Sequence, residues 1–371
     1  MHVAFRADAS LQIGTGHVLR CLTLADALRE RGAWCSFVCR PHQGHLLALI
    51  TQRGHQALAL PELQESTQPN RNGIAHAHWL GTDWSTDAQD TQKVLNAHLD
   101  RQTVDWLVVD HYALDARWEE ALRAQAKRIM VIDDLADRPH ACDLLLDQTF
   151  GRQSADYIPL APEGCALLCG SQYALLRPEF TALREYSLER RAQPVLKELL
   201  IAMGGVDKDN VTGAVLHALQ SCSLPADCRL TVVMGQTAPW LKDVQDLACA
   251  MPRPTRVLVG VGNMGQLMAD SDLAIGAAGA TSWERCCLGL PSIILVVADN
   301  QLKVAKGLEE AGAAVLCMPD QGLTKQLACL LGTLCANKKK IALLSVAASG
   351  IADGAGTDAV LARMGTQIEH A

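Results

Sequence analysis

Phe5-Arg6-Ala7-Asp8-Ala9-Ser10 and, two residues on, Ile13-Gly14-Thr15-Gly16-His17 carry a short apolar run into a glycine loop and then into a helix. Residues 2–5 have the unbroken apolar character of a buried strand. Residues 16–31 place apolar side chains at helical spacing until Gly32 stops them. A strand that ends in glycines at a helix entrance lets backbone approach a ligand closely, and the helix N–H groups attract negative charge there. The loop is not G-x-G-x-x-G: His17 and Val18 follow Gly16, and Arg20 stands where the third glycine would be. That weakens a dinucleotide reading and argues against a Rossmann oxidoreductase. His17 sits at the entrance of the helix, where the positive end of the helix dipole favours the neutral ring that a general base needs. The competing reading is a capping or surface histidine.

Working outward, the strand–helix alternation continues. Strands are expected at 35–39, 57–60, 106–109, 129–132 and 144–146, with helices at 45–53 and 117–126. Residues 184–193 are charged and polar and read as a linker. The pattern then restarts, with strands at 199–203, 230–234, 255–259, 273–275, 292–297 and 314–316 and helices at 211–221, 279–288 and 302–311. The expected class is α/β: two Rossmann-type, doubly wound parallel domains facing each other across a cleft lined by the carboxyl ends of both sheets. The divisions expected are 1–183, a linker at 184–195, a second domain at 196–345, and a helical tail at 346–371.

Bulk properties agree with this. A chain of 371 residues, half of them hydrophobic, suits two cores. A formal charge of −7 with mixed signs argues against a nucleic-acid binder. Fourteen cysteines stand mostly in apolar segments (Cys21, Cys35, Cys39, Cys142, Cys169, Cys286 and Cys287 among them) with no C-x2-C pair, so they read as reduced core thiols and not as a disulfide framework or zinc site. No signal-peptide pattern and no long apolar span appears, which makes the cytoplasm the expected compartment and a membrane an unexpected partner.

A second loop resembles the first in kind. Gly276-Ala277-Ala278-Gly279-Ala280-Thr281-Ser282-Trp283-Glu284 follows a strand and opens a helix. Backbone N–H groups at Gly279 and Ala280, with the hydroxyls of Thr281 and Ser282, suit a diphosphate held without metal. Glu284 is placed to accept hydrogen bonds from a ribose diol; the alternative is a capping box over tight helix–sheet packing. Asp299-Asn300-Gln301 puts amides near the same crevice, and Gly204-Gly205-Val206-Asp207 is a further strand-end turn. In the first half, Asp110-His111-Tyr112 and Asp133-Asp134 follow strands, the aspartate pair reading more readily as turn residues than as metal ligands. His76 and His78, beside Trp79 and Trp84, read as surface or lid features.

Taken together, these segments resemble the UDP-2,4-diacetamido-2,4,6-trideoxy-β-L-altropyranose hydrolases of pseudaminic acid synthesis. The matching stretches are FRADASLQIGTGHVLRCLTLA, HWLGTDWSTDAQDT, DWLVVDHYALDARWE, VIDDLADRPHACDLLLDQ, YALLRPEF, IAMGG, IGAAGATSWERCCLGLP with DNQ after it, and IADGAGTDAVL. The resemblance implies a GT-B fold, shared with the lipid II-forming N-acetylglucosaminyltransferase, and a metal-free intracellular step that releases UDP and the free sugar with no cofactor. Carried over by position, it implies His17 as the catalytic base, Glu284 as the nucleotide-binding acid, and Arg177 as a substrate contact. Asp8 and Asn300 are expected on acetamido or hydroxyl groups, and Gly14, Gly16 and Gln301 lie in the same binding loops. Thr149 departs from the asparagine expected after Asp147-Gln148. The partners expected are a UDP-sugar and water. The rival readings are an inverting UDP-sugar glycosyltransferase of the same fold, in which an acceptor hydroxyl replaces water, and a non-catalytic UDP-sugar-binding protein.

Overall fold

In the computed structural model, residues 1–62, 74–99, 102–298, 301–318 and 322–365 are described. The chain divides into two units, 1–175 with 357–371, and 176–356. The first unit runs β1 (His2–Ala7), α1 (Gly16–Glu30), β2 (Trp34–Cys39), α2 (Leu47–Gln52), β3 (Gln56–Ala59), α3 (Trp84–His98), β4 (Val104–Asp110), α4 (Ala116–Ala121), β5 (Ala126–Ile132), β6 (Leu144–Asp147) and β7 (Ala166–Cys169). Its sheet has the order β3-β2-β1-β4-β5-β6-β7, and every pairing is parallel. Helices cover both faces of such a sheet, so its central strands are apolar throughout. Val3, Phe5, Val108 and Met130 enter one core with α1. Ala4, Leu107, Val109 and Ile129 enter another, with Trp118 of α4 and Leu95 of α3.

The second unit runs α5 (Pro178–Arg191), β8 (Glu198–Ala202), α6 (Val211–Leu219), β9 (Arg229–Met234), α7 (Leu241–Cys249), β10 (Thr255–Val259), α8 (Met264–Asp270), β11 (Leu273–Ala277), α9 (Thr281–Cys287), β12 (Ser292–Leu295), α10 (Leu302–Glu310), β13 (Val315–Cys317), α11 (Leu323–Ala336) and α12 (Lys338–Ser349). Its sheet order is β10-β9-β8-β11-β12-β13, again parallel. In both sheets the winding reverses once, between β1 and β4 and between β8 and β11. At such a reversal the loops leaving the two central strands part in opposite directions and open a crevice at their carboxyl ends.

Two segments differ from the sequence reading. Residues 184–193, expected as a linker, are mostly the later turns of α5. This helix starts on Pro178, whose missing N–H costs nothing at a first position, and it buries Phe180, Ser187 and Arg191. Arg191 donates to the carbonyls of Met268, Ala269 and Ser271, so a charged residue is what ties the helix to its unit. The tail is also divided. Helix α12 belongs to the second unit, whereas α13 (Gly356–Met364) belongs almost wholly to the first, where Val360, Leu361 and Met364 enter the core and the Met364 carbonyl accepts from Trp106 Nε1 at 3.1 Å.

Candidate active site

Strand β1 delivers Asp8 and the loop 8–15 to the switch point of the first sheet. Beside it β4 delivers Asp110, in register with Ala7. The loop is held by Ser10, whose hydroxyl accepts from the N–H groups of Gln12 and Ile13, and by paired hydrogen bonds between Ser10 and Gly14. Gly14 turns the chain at φ +82°, a conformation that disfavours any side chain. Helix α1 then starts at Gly16 with no side-chain cap on its first N–H groups, and Gly16 is exposed.

His17, in the first turn, directs Nδ1 at Asp110 Oδ1, 2.6 Å away. A carboxylate only accepts, so Nδ1 carries the hydrogen and the lone pair of the neutral ring lies on Nε2. Arg20, one turn on, donates Nε to Asp110 Oδ2 at 2.6 Å and Nη2 to Oδ1 at 2.7 Å, a two-pronged grip. Its Nη1 reaches Asp134 Oδ2 at 2.6 Å, and the Tyr112 hydroxyl donates to the same oxygen at 2.8 Å. Asp110 is fully buried. Burial alone would raise its pKa, but the Arg20 guanidinium and His17 outweigh it and hold the carboxyl far below the usual carboxylate range. The imidazole is walled by aromatic rings: Tyr112 stands edge-on at 4.6 Å, and Trp79, stacked on Tyr112, lies at 6.4 Å. His76 packs against Trp79 at 4.5 Å. Of His76 and His78, read as surface or lid features, His76 thus belongs to the surroundings of His17.

Asp8 does not offer a free carboxylate to a substrate. It is fully buried, with Oδ1 accepting from Arg6 Nη1 at 2.6 Å and from the Arg40 N–H at 2.7 Å, and with Oδ2 facing His111 Nε2 at 3.3 Å. Arg6 and Arg40 in turn grip Asp87 of α3, which also accepts from Trp118 Nε1. Burial opposes the charge on Asp8, yet Arg6 and the histidines facing it keep the carboxyl well below its ordinary range. The residue is a buried strut that fixes the start of the loop, and the expectation of direct sugar contact is corrected accordingly. Asp133 plays the turn role, accepting from the Ala136 N–H, and Asp134 joins Arg20. Thr149 is buried, with its N–H donating to Asp147 Oδ1.

In the second unit, Gly276 is pressed so closely that a Cβ would meet Arg285 Nη1 at 2.6 Å and the Ala202 carbonyl at 2.8 Å. Arg285 donates to the Ala277 carbonyl, the Ser282 hydroxyl and the Thr281 hydroxyl. Those two hydroxyls are therefore engaged inside the protein, and Ser282 is buried. An arginine without a carboxylate partner needs acceptors of its own, and each hydroxyl that accepts from it keeps its O–H to donate. The Ser282 and Trp283 N–H groups donate back to Gly279 and Ala280. Among the described residues, the N–H groups of Gly279, Ala280 and Thr281 have no protein acceptor. Glu284 Oε1 lies 3.7 Å from Arg177 Nη2, and Arg177 also pairs with Glu179 at 3.0 Å. Burial pushes the Glu284 carboxyl up to about 7, and Arg177 and Arg285 only partly offset it. Gln301 Oε1 accepts from the Val297 N–H, closing its own turn. Asp299 and Asn300 lie outside the described residues. Asp207 caps α6 through the N–H groups of Val211 and Thr212. Among the described residues no group of three His, Cys, Asp or Glu side chains is arranged to hold a metal ion, and no helix is long and apolar enough to cross a membrane.

Sequence reasoning missed Arg20 as a site residue and the pairing of His17 with Asp110. The signal available for the first was an arginine one helical turn after the histidine on the same face. For the second there was only the strand-end position of Asp110.

Residues 200–355 match the glycosyltransferase family 28 C-terminal domain. A UDP-2,4-diacetamido-2,4,6-trideoxy-β-L-altropyranose hydrolase of Campylobacter jejuni is 26% identical over 317 residues, covering 85% of this chain and 98% of that protein. A UDP-N-acetylglucosamine–N-acetylmuramyl-(pentapeptide) pyrophosphoryl-undecaprenol N-acetylglucosamine transferase of Salinibacter ruber is 32% identical over 155 residues, 40% of this chain and 41% of that one. Among solved structures, MurG of Acinetobacter baumannii superimposes with a TM-score of 0.68 at 18% identity, covering 99% of each chain. The fold is the GT-B fold, two Rossmann-like units of parallel sheet and helix.

Proposed function

We propose that this chain is an enzyme acting on a UDP-linked sugar, in which His17 serves as general base for attack on the anomeric carbon and UDP departs. The observation that carries the reading is the 2.6 Å contact between His17 Nδ1 and Asp110 at the switch point of the first sheet. A carboxylate that holds Nδ1–H fixes the tautomer and leaves Nε2 to take a proton. In the step proposed, an oxygen nucleophile bonds to the anomeric carbon and gives its proton to Nε2. The bond from that carbon to the diphosphate oxygen breaks, and its electron pair leaves with UDP. A single displacement of this kind inverts the anomeric centre through a transition state with oxocarbenium character. The leaving diphosphate gains charge, and the N–H groups at 279–281, without a protein acceptor among the described residues, suit an anion of that kind. Glu284, beside Arg177, is assigned the ribose. Gly14 and Gly16 are assigned close backbone approach in the first loop, Asn300 is assigned to acetamido or hydroxyl groups of the sugar, and Gln301 to the same crevice.

The nature of the nucleophile separates two readings. Transfer to an acceptor hydroxyl is favoured by the greater part of the similarity: the family 28 domain, the Salinibacter transferase and the MurG-like fold. Hydrolysis is favoured by the Campylobacter relative, whose match spans nearly its whole length. It is also favoured by the enclosure of His17, whose side chain is 10% exposed behind Tyr112 and suits a small nucleophile. The finer assignment, release of 2,4-diacetamido-2,4,6-trideoxy-β-L-altrose from UDP in pseudaminic acid synthesis, rests on that relative and on the segments quoted above.

The test is incubation of the protein with UDP-sugars in ¹⁸O-labelled water without any acceptor, followed by NMR and mass spectrometry. Hydrolysis yields UDP and a free sugar carrying the label on its anomeric hydroxyl. Turnover that begins only when an acceptor alcohol is added establishes transfer. UMP as the first product, or label in phosphate, refutes attack at carbon. UDP-sugar binding without turnover under either condition refutes the enzyme reading.

A further inference from the structure

A cavity of about 530 Å³ opens at the amino ends of β6 and β7, the sheet end opposite to Asp110 and His17. It is lined by Glu120, Arg123, Asp143, Glu163 and two cysteines, Cys142 and Cys165. The two sulfurs stand 3.6 Å apart. Cys142 is buried and Cys165 is partly exposed at the cavity wall.

The pairing follows from the backbone. Strands β6 and β7 are adjacent and parallel with Leu144 beside Ala166, and the Ala166 N–H donates to the Asp143 carbonyl. Cys142 and Cys165 therefore occupy neighbouring strand entrances. Continued outward, the register sets Cys165 beside Asp143, one residue from Cys142; strands about 4.8 Å apart with an offset of about 3.3 Å give a Cα separation of about 5.8 Å, within the range of about 4.4–6.8 Å that disulfides span. Closing the sulfurs to a bond of about 2.05 Å asks for a shift of roughly 1.5 Å, within reach of side-chain rotation.

We propose that Cys142 and Cys165 form a redox-active dithiol that exchanges with small neutral or cationic disulfides entering this cavity and closes to an intramolecular disulfide. The order of attack follows from access: Cys165 meets the reagent and Cys142 resolves. The Cys165 thiolate attacks one sulfur of the disulfide, forms a mixed disulfide, and expels the first small thiolate. Cys142 then attacks the Cys165 sulfur, forms the Cys142–Cys165 bond, and expels the second. Two protein thiols are oxidised, one small disulfide is reduced to two thiols, and the protons from both cysteines end on them. The hydrogen bond from the Cys142 thiol lowers the Cys165 pKa, which assists the first step. Selectivity follows from the lining, in which three carboxylates face one guanidinium, itself paired with Asp143 at 2.5 and 2.7 Å. An anionic disulfide such as oxidised glutathione is repelled, and a dicationic one such as cystamine is attracted.

The test uses the full chain, exposed to cystamine or to oxidised glutathione at low ionic strength, quenched by alkylation and mapped by mass spectrometry. The expected result is a peptide pair joined through Cys142 and Cys165 with no adduct at either. It should form on the order of tenfold faster with cystamine than with oxidised glutathione, a gap that narrows with added salt. Cys142→Ser, or Cys142→Ala if the hydroxyl is poorly accommodated, should trap the mixed disulfide at Cys165. Modification of the exposed Cys249 and Cys329 while Cys165 stays reduced overturns the proposal, as does a persistent adduct at Cys165 in the unaltered chain.

Discussion

Replacing Asp110 by asparagine tests the base assignment most sharply, because each oxygen of this carboxylate faces only donors. Oδ1 receives His17 Nδ1 and Arg20 Nη2, and Oδ2 receives Arg20 Nε with the Cys21 thiol 3.5 Å away. An amide NH₂ has no acceptor to turn to except His17 Nδ1. Accepting there moves the imidazole hydrogen to Nε2 and removes the base. Turned the other way, the NH₂ opposes the Arg20 guanidinium inside the protein. Loss of general-base help should lower kcat by about 10²–10⁴, equivalent to roughly 3–5 kcal/mol of barrier. Removing one partner from a buried ion pair costs about 3–5 kcal/mol of stability, and the low end applies because Arg20 keeps Asp134 at 2.6 Å. UDP release is followed by chromatography on protein whose folded fraction is known from its thermal transition, with UDP affinity measured alongside. The expected pattern is a large fall in kcat with UDP affinity unchanged, since the nucleotide is assigned to the second unit. A folded variant that turns over within threefold of the parent refutes the dyad. The same carboxylate sets an acid limit. Its folded pKa is depressed, so its contribution is complete above the unfolded value near 4 and is lost as pH falls below it. The asparagine variant should lack that component of acid unfolding.

Glu284 should behave in the opposite sense. Its folded pKa of about 7 lies above the ordinary 4.5, so the folded state holds the proton more tightly. Stability should fall by up to about 3 kcal/mol as pH rises from 4.5 to 7, and Glu284→Gln should flatten that slope in denaturation curves. If the ionised carboxylate receives the ribose, the affinity for a UDP-sugar, whose diphosphate does not titrate near neutrality, rises with pH through 7 and loses this dependence in the glutamine variant; a flat profile in the parent removes the assignment. Gly276→Ala places a methyl against the Ala202 carbonyl and Arg285; it should cost about 1–3 kcal/mol, seen as a lower Tm, and weaken UDP binding, whereas unchanged binding in the folded variant would separate the loop from the nucleotide.

The strands were legible in the sequence because a parallel sheet covered on both faces needs unbroken apolar runs, and β1, β4, β5, β8 and β11 supply them. The glycine loop before His17 was legible because Gly14 adopts a backbone conformation that few other residues tolerate. Among the elements that escaped were two helices whose inward face is polar. Helix α3 buries Asp87 and Thr91 alongside Ala88 and Leu95, and α5 buries Ser187 and Arg191 with Phe180, so neither shows the apolar stripe that marks a helix against a core. Their polar faces are satisfied by Arg6 and Arg40 in one case and by the carbonyls 268–271 in the other, partners distant in sequence. The central pairing of the site was invisible for the same reason. His17 and Asp110 are 93 residues apart, and nothing local joins them. They meet because β4 lies beside β1 and not beside β3, an order set by how the helices pack onto the two faces of the whole sheet. Local composition determined which residues were equipped for the chemistry; the long-range strand order decided which of them stand within hydrogen-bond distance.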